Sequence, residues 1–244
     1  MSMYTSDGKP FEPLARGSAF EAYLASLPLG AFPAAMGKHT FGRTLAMYGD
    51  SLTQYVGGDG QTGEGFLTQI NKYLGMEMSN QAVAGANWTS GNAGDAPTKI
   101  QGLLDAGVEY DVVLLAWGTN RDENLGTVED APSRNGSMCA VMKWAVQSIR
   151  TAYPHTGVGI VIPPPGSGGG CSEEKANLMI ECCRHADMHV PYLDLWHEGY
   201  IVASSSIKDG SNGLGFQDVH LSTAGRDRYA SALMPFVQRL CPFT

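Results

Sequence analysis

Ser51 and His220 are the residues of this chain whose types and placement most directly suggest chemistry. Ser51 follows a short apolar run, 44–48, and the turn residues Gly49 and Asp50. In an open α/β fold, ligands bind at the carboxyl ends of the strands, so this serine stands where such a fold presents a nucleophile. A serine hydroxyl attacks well only when a base takes its proton, and His220 is the candidate base. The pair indicates acyl transfer through a serine.

Two further residues lie between them in the chain. Gly85 sits in an Ala-Val-Ala-Gly-Ala-Asn run, and Asn120 ends Trp-Gly-Thr-Asn. Taken singly, such a glycine is usually a turn residue and such an asparagine usually caps a turn. The ordered set Ser51, Gly85, Asn120 and His220 nevertheless resembles the SGNH hydrolases, also called the GDSL esterase/lipase family. The resemblance extends from about residue 44 to residue 240 and implies a serine hydrolase that acts on esters.

The resemblance also implies a role for each member of the set. Ser51 is the nucleophile, His220 is the base, and the oxyanion donors are the backbone amides of Ser51 and Gly85 with the side-chain amide of Asn120. Donors of this kind act because they are in place before negative charge develops on the oxygen. No metal and no organic cofactor is expected.

One departure from the family pattern concerns the residue that orients the histidine. Members usually carry an aspartate three residues before it, where this chain has Gln217, whereas Asp218 lies two residues before His220. Residues two apart in an extended segment face the same way, so Asp218 can still reach the imidazole. The alternative is a Ser-His dyad in which a backbone carbonyl orients His220. Both stay open.

Arg121 stands where the family often has an aspartate after the asparagine. It either binds an acidic group of the substrate or, as salt-bridge statistics favour, pairs with Asp122 or Glu123. Trp88 is a candidate for lining the substrate cleft, while Trp117 reads as a core residue. Asp50 is expected to shape the turn by bonding to nearby backbone and not to take part in catalysis.

Short apolar runs alternate with helical patterns along the rest of the chain, which predicts parallel strands joined by crossover helices. The fold class expected is a three-layer α/β/α sandwich of flavodoxin-like type with about five parallel strands. The predicted strands are 44–48, 77–83, 111–117, 157–162 and 190–195, and the predicted helices are 64–74, 137–152, 173–186 and 222–240.

The chain is expected to divide into an amino-terminal arm, residues 1–42, and a hydrolase domain, residues 43–244. The arm is rich in Pro, Gly and Ala and holds one short predicted helix near 20–24. Such an arm either covers a neighbouring element, mediates a homo-oligomer or is partly disordered. The connections 118–136 and 163–170 are candidates for substrate-contacting loops.

Composition limits the partners. Of 244 residues 43% are hydrophobic, and the net charge is −8, without the basic clusters that nucleic acid or an anionic membrane requires. No run is long and apolar enough to span a bilayer, and the amino terminus lacks the pattern of a secretory signal. The five cysteines are an odd number and read as free thiols. A cytoplasmic protein is expected, with release by lysis or association with a particle left open.

Competing motifs are weaker. The Gly-x-Ser-x-Gly elbow is absent, and the glycines of 166–170 are not followed by Gly-Lys-Ser/Thr, so a phosphate loop is not expected. Cys182, His185 and His189 share one face of a predicted helix, but their spacing matches no zinc motif. No metal site is predicted.

The function expected is hydrolysis of short-chain acyl esters, chiefly O-acetyl groups on carbohydrate, by an acyl-enzyme mechanism. The substrate is a small molecule or a glycan ester. One alternative is a lysophospholipase or thioesterase acting on longer chains. A second, of another class, is a carbohydrate-binding module that keeps the fold without catalysis, an idea that rests on the displaced Asp218.

Overall fold

Five strands make up the central sheet of this protein, as seen in a computed structural model. The structure describes residues 40–54, 66–89, 92–122, 124–165, 171–198, 216–217, 220–221 and 223–241. The strands of the sheet are β1 (Thr44–Gly49), β2 (Glu77–Asn80), β3 (Val112–Ala116), β4 (Gly157–Ile162) and β5 (Tyr192–Asp194). All neighbours pair in parallel, in the spatial order β2-β1-β3-β4-β5. This order is the flavodoxin-like one, which confirms the predicted fold class.

Helices follow the strands. They are α1 (Ser51–Gln54), α2 (Phe66–Leu74), α3 (Ala96–Ala106), α4 (Met138–Ala152), α5 (Glu173–Arg184) and α6 (Thr223–Leu240). A short antiparallel pair, β6 (Phe216–Gln217) and β7 (His220–Leu221), precedes α6. The five predicted strands and the four helices predicted after residue 43 are found, with shifts of a few residues at their ends.

Helix α3 is the long element that the sequence pattern did not predict. It carries Pro97 in its first turn and Gly102 in its middle, both residues that usually weaken a helical pattern. Proline is tolerated in the first turn because the amide it lacks has no partner there. The buried face of α3 includes Ile100 and Leu103, and packing of that face outweighs the glycine.

Side chains of β1 alternate between the two faces of the sheet, as the pleat requires. Leu45 and Met47 join the apolar cluster formed with α2 and α6. Ala46 and Tyr48 join the cluster formed with α3, α4 and α5. Helices therefore cover both faces, and the domain has three layers.

Parallel strands and their return helices give the sheet two distinct edges. The carboxyl edge is where the strands end and the following segments begin, and it holds Ser51, Gly85 and Asn120. The amino edge is where β5 begins and where α4, α5 and α6 end.

Several predictions fall outside the described ranges. The predicted arm, 1–42, does so except for its last three residues, and so do the helix near 20–24 and the glycine run 166–170. The five cysteines are free and buried. Among the described helices none has the length and apolar character needed to cross a membrane.

Candidate active site

Ser51 is the first residue of α1, immediately after β1. Asp50 caps this helix: its Oδ1 accepts the amide of Leu52 at 3.0 Å, and its carbonyl oxygen accepts the amide of Gln54 at 2.9 Å. The amide of Ser51 donates no hydrogen bond to any other residue of the described ranges. The turn thus presents a partly exposed hydroxyl beside an unengaged N–H donor.

Gly85 lies next to this turn because the segment before it is bonded to β1 and α1. The amide of Val83 donates to the carbonyl oxygen of Gly49 at 3.0 Å, and the amide of Ala84 donates to the side-chain oxygen of Gln54. Gly85 has φ of 77°, a left-handed conformation that favours glycine. Its own amide also donates to no described residue. A second unengaged N–H is therefore held close to Ser51.

Asn120 joins the same group. Its Nδ2 donates to the carbonyl oxygen of Ala86, the residue after Gly85, at 2.8 Å. The preceding amide, of Thr119, donates to Oδ2 of Asp50 at 3.1 Å. A side-chain amide carries two N–H groups, so one remains for another acceptor. Each of the three segments is bonded to the other two, which brings Ser51, Gly85 and Asn120 together.

Asp50 holds the serine turn and the asparagine loop in one arrangement. Its side chain is fully buried, and this burial raises the pKa of Asp50 to about 6. Hydrogen bonds from the amides of Leu52 and Thr119, and the positive charge of Lys175, oppose the rise. The carboxylate form is the one that accepts both amides, which supports the expectation that Asp50 shapes the turn.

A buried ion pair lies behind the asparagine loop. Nζ of Lys175, on α5, is 2.6 Å from Oδ2 of Asp122 and donates to the carbonyl oxygen of Asn120 at 2.6 Å. Oδ1 of Asp122 accepts the amide and the hydroxyl of Thr89 at 2.9 and 3.0 Å. The side chains of Lys175 and Asp122 are 5% and 0% exposed. The pair ties together α5, the loop of Asn120 and the segment after Gly85.

His220 lies on β7, which pairs with β6 so that Gln217 stands opposite His220. Strand β7 packs against α1, the helix that begins with Ser51. The structure therefore brings the segment of the candidate base to the segment of the candidate nucleophile. Asp218 lies outside the described residues, and its part in a triad stays a prediction.

The position of Trp88 contradicts the expectation that this residue lines the substrate cleft. It is fully buried, its indole N–H donates to the carbonyl oxygen of Trp117 at 2.9 Å, and the two rings meet edge to face at 5.2 Å. A side chain with no exposed surface cannot line a cleft, so Trp88 is a core residue that ties the Gly85 segment to the end of β3.

Arg121 is exposed and makes no ion pair with a described residue. The expected pairing with Asp122 is wrong, because the Asp122 carboxylate is occupied by Lys175. Glu123, the other expected partner, lies outside the described residues. Among the described residues the guanidinium of Arg121 has no carboxylate partner.

The sequence did not predict the buried ion pair between Lys175 and Asp122. One signal was present: Lys175 shares a helical face with the buried residues Met179 and Cys182, at spacings of four and seven. A lysine within an apolar stripe must find a buried partner. The part of the chain that the structure describes contains no group of three or more His, Cys, Asp or Glu side chains placed to hold a metal ion.

The sequence and the fold both have known counterparts. Residues 47–228 match the model of the GDSL-like lipase/acylhydrolase family. No curated protein sequence matches this chain.

Solved structures share the fold at low identity. A protein from Lactobacillus plantarum is 17% identical with a TM-score of 0.62, over 82% of this chain and 98% of its own. A carbohydrate acetylesterase from Sinorhizobium meliloti is 19% identical with a TM-score of 0.55, over 81% and 99%. An active-site mutant of a family two carbohydrate esterase from Clostridium thermocellum is 18% identical with a TM-score of 0.52, over 81% and 63%. At these identities the likeness concerns the fold alone.

Proposed function

The chain belongs to the GDSL-like lipase/acylhydrolase family, and from that premise we propose that it removes short acyl groups, chiefly acetyl groups, from carbohydrate. Family membership makes it a carboxylic ester hydrolase. The observation that carries the proposed mechanism is the convergence at the carboxyl edge. There a serine hydroxyl, two unengaged backbone amides and one side-chain amide share a single hydrogen-bonded framework.

In the proposed reaction, Oγ of Ser51 attacks the acyl carbon while the imidazole of His220 takes the hydroxyl proton. The carbonyl oxygen becomes an oxyanion, which accepts hydrogen bonds from the amides of Ser51 and Gly85 and from Nδ2 of Asn120. Collapse of this intermediate breaks the bond to the alcohol, which leaves with the proton from His220. Water then attacks the acyl-serine, giving its proton to His220, and the acid departs as Ser51 is restored.

Rigid placement is what makes these donors effective. Donors that are already oriented need no reorganisation when charge appears on the oxygen. The bond from Asn120 to Ala86, and the bonds of Asp50 to Leu52 and Thr119, fix them in advance. The third member of the triad is proposed to be Asp218, with the Ser-His dyad as the alternative. Loss of activity in Asp218→Ala by about 10³-fold or more would favour the triad.

Carbohydrate is proposed as the acyl carrier for two reasons. The connections around the carboxyl edge are polar and glycine-rich, which suits a hydrated alcohol better than a lipid tail. Two proteins of the same fold are named as a carbohydrate acetylesterase and a carbohydrate esterase. Arg121 is proposed to contact a polar or acidic group of the substrate, because it is exposed on the loop of Asn120.

The test compares hydrolysis of p-nitrophenyl acetate, butyrate and octanoate by the wild type and by Ser51→Ala, followed by release of acetate from a peracetylated sugar. We expect acetate to be cleaved fastest and Ser51→Ala to lose roughly 10⁴-fold or more in kcat/KM. A preference for octanoate would support the lysophospholipase or thioesterase alternative. A folded wild type inactive on every ester, yet binding glycans, would support the non-catalytic module.

A further inference from the structure

The amino edge of the sheet lies away from Ser51, Gly85 and Asn120. A cavity of about 720 Å³ opens there, at the last turns of α4, α5 and α6 and the start of β5. Cavities that hold small-molecule ligands measure roughly 300–1,000 Å³. Its lining combines Arg150, Arg184, Arg239 and His189 with an apolar floor that includes Val190, Pro191 and Leu240.

Arg150 is held in place by backbone. One guanidinium nitrogen donates to the carbonyl oxygen of Met188 at 2.7 Å and another to that of His189 at 3.2 Å. These two bonds use part of its five donors. Arg150 makes no further hydrogen bond through its guanidinium to a described residue, and it lines the cavity.

Aromatic rings orient the other two arginines. The guanidinium carbon of Arg184 lies 5.4 Å from the centre of the Tyr192 ring, and that of Arg239 lies 5.7 Å from the centre of the Phe236 ring. Cation–π contacts of this kind position a guanidinium without neutralising its charge. All three arginines are therefore oriented before any ligand arrives.

Within the described ranges no carboxylate neutralises these three guanidiniums. No acidic side chain lines the cavity, and none of the three arginines forms an ion pair with a residue of the described ranges. Residues of the last turns of three helices line the cavity, and each helix end offers only about half a negative charge. The three arginines together carry twice as much positive charge as the three helix ends together offer in negative charge. Counted over the described residues, the cavity carries a surplus of positive charge on a chain whose net charge is −8.

We infer that this cavity binds a small polyanion that carries carboxylate or phosphate groups. The planar fork of a guanidinium matches two oxygens of either group. The apolar floor of Val190, Pro191 and Leu240 accommodates the non-polar part of such a molecule. The site is independent of the esterase proposal, because it uses none of the residues at the carboxyl edge.

The test is isothermal titration of the full chain with inorganic phosphate and, separately, with citrate. It is run at low ionic strength because salt screens exposed charges. The variant Arg184→Ala/Arg239→Ala removes two exposed guanidiniums and should weaken binding at least about tenfold, since each lost charge-assisted hydrogen bond weakens binding by that order. The control is Arg134→Ala, because Arg134 is also exposed, lies outside the cavity lining and donates to Gln101 at 3.1 Å. It should bind like the wild type.

The relative affinities identify the ligand: tighter citrate binding indicates a polycarboxylate, and tighter phosphate binding a phosphate ester. Absence of binding of both anions at millimolar concentration would overturn the inference, and so would equal affinity in all three proteins. Amide NMR of the wild type gives a second readout that needs no variant. Phosphate or citrate should shift the signals of Val190 and Tyr192, and shifts confined to other regions would contradict the site.

Discussion

Lys175→Met is the substitution that tests most sharply how the oxyanion donors are held. Methionine keeps the length and much of the volume of the side chain but removes the ammonium group. Two contacts of 2.6 Å are lost together, one to the Asp122 carboxylate and one to the Asn120 carbonyl. Asp122 is left as a buried charge without its cation, and the Asn120 loop loses the donor that anchors its backbone.

The loss of these contacts should lower both the unfolding free energy and the turnover number. Removing one partner of a buried ion pair costs about 3–5 kcal/mol of unfolding free energy, because the other charge stays buried. Removing one oxyanion donor costs about 10²- to 10³-fold in turnover. Since Lys175→Met displaces Asn120 and does not delete it, we expect kcat to fall by about 10- to 10³-fold, with a smaller change in KM.

The assay measures kcat and KM on p-nitrophenyl acetate together with urea unfolding of the same samples. Lys143→Met is the matched control: this second buried lysine bonds to the carbonyl oxygens of Val128 and Asp130 at 2.6 and 3.0 Å and contacts no residue of the candidate site. It should lose stability while keeping kcat. If Lys175→Met also loses stability with kcat unchanged, Lys175 stabilises only the fold and the positioning argument is refuted.

Three further outcomes are expected. Asn120→Ala should lower kcat on p-nitrophenyl acetate by about 10²- to 10³-fold with little change in KM, and a loss below tenfold would remove Asn120 from the oxyanion site. Burial raises the pKa of Asp50 from 3.8 to about 6, so ionising it costs more in the folded protein than in the unfolded chain. Wild-type stability should therefore fall by about 2 kcal/mol relative to Asp50→Asn as the pH rises from 4 to 7, and parallel urea-unfolding curves would contradict this. Trp88→Phe should cost about 1–3 kcal/mol of unfolding free energy, from the lost hydrogen bond and volume, without changing the preferred acyl length. A changed preference at unchanged stability would show that Trp88 contacts substrate.

Local sequence patterns were sufficient to predict the strands of the sheet and most of the helices. The nearly continuous apolar run of β3 marks a strand covered on both faces, and Ser137 and Ser172 mark the starts of α4 and α5 as capping residues. Helix α3 was missed because Pro97 and Gly102 obscure its pattern. Only its packing in the folded domain makes it a helix.

The sequence by itself determined the family, and it placed Ser51, Gly85 and Asn120, in that order, after predicted strands. The family resemblance rests on the ordered set Ser51, Gly85, Asn120 and His220. The strand ends follow from apolar periodicity and turn residues, which act over a few neighbours in the chain.

Tertiary structure alone decided which polar groups meet. Lys175 lies 55 residues from Asn120, yet it bonds to the Asn120 carbonyl and thereby leaves Arg121 without the expected Asp122 partner. Tertiary structure also placed Trp88 in the core and gathered three distant arginines at the amino edge. A buried charge must be paired wherever a partner is in reach, and the distances that settle the pairing exist only once the sheet has formed.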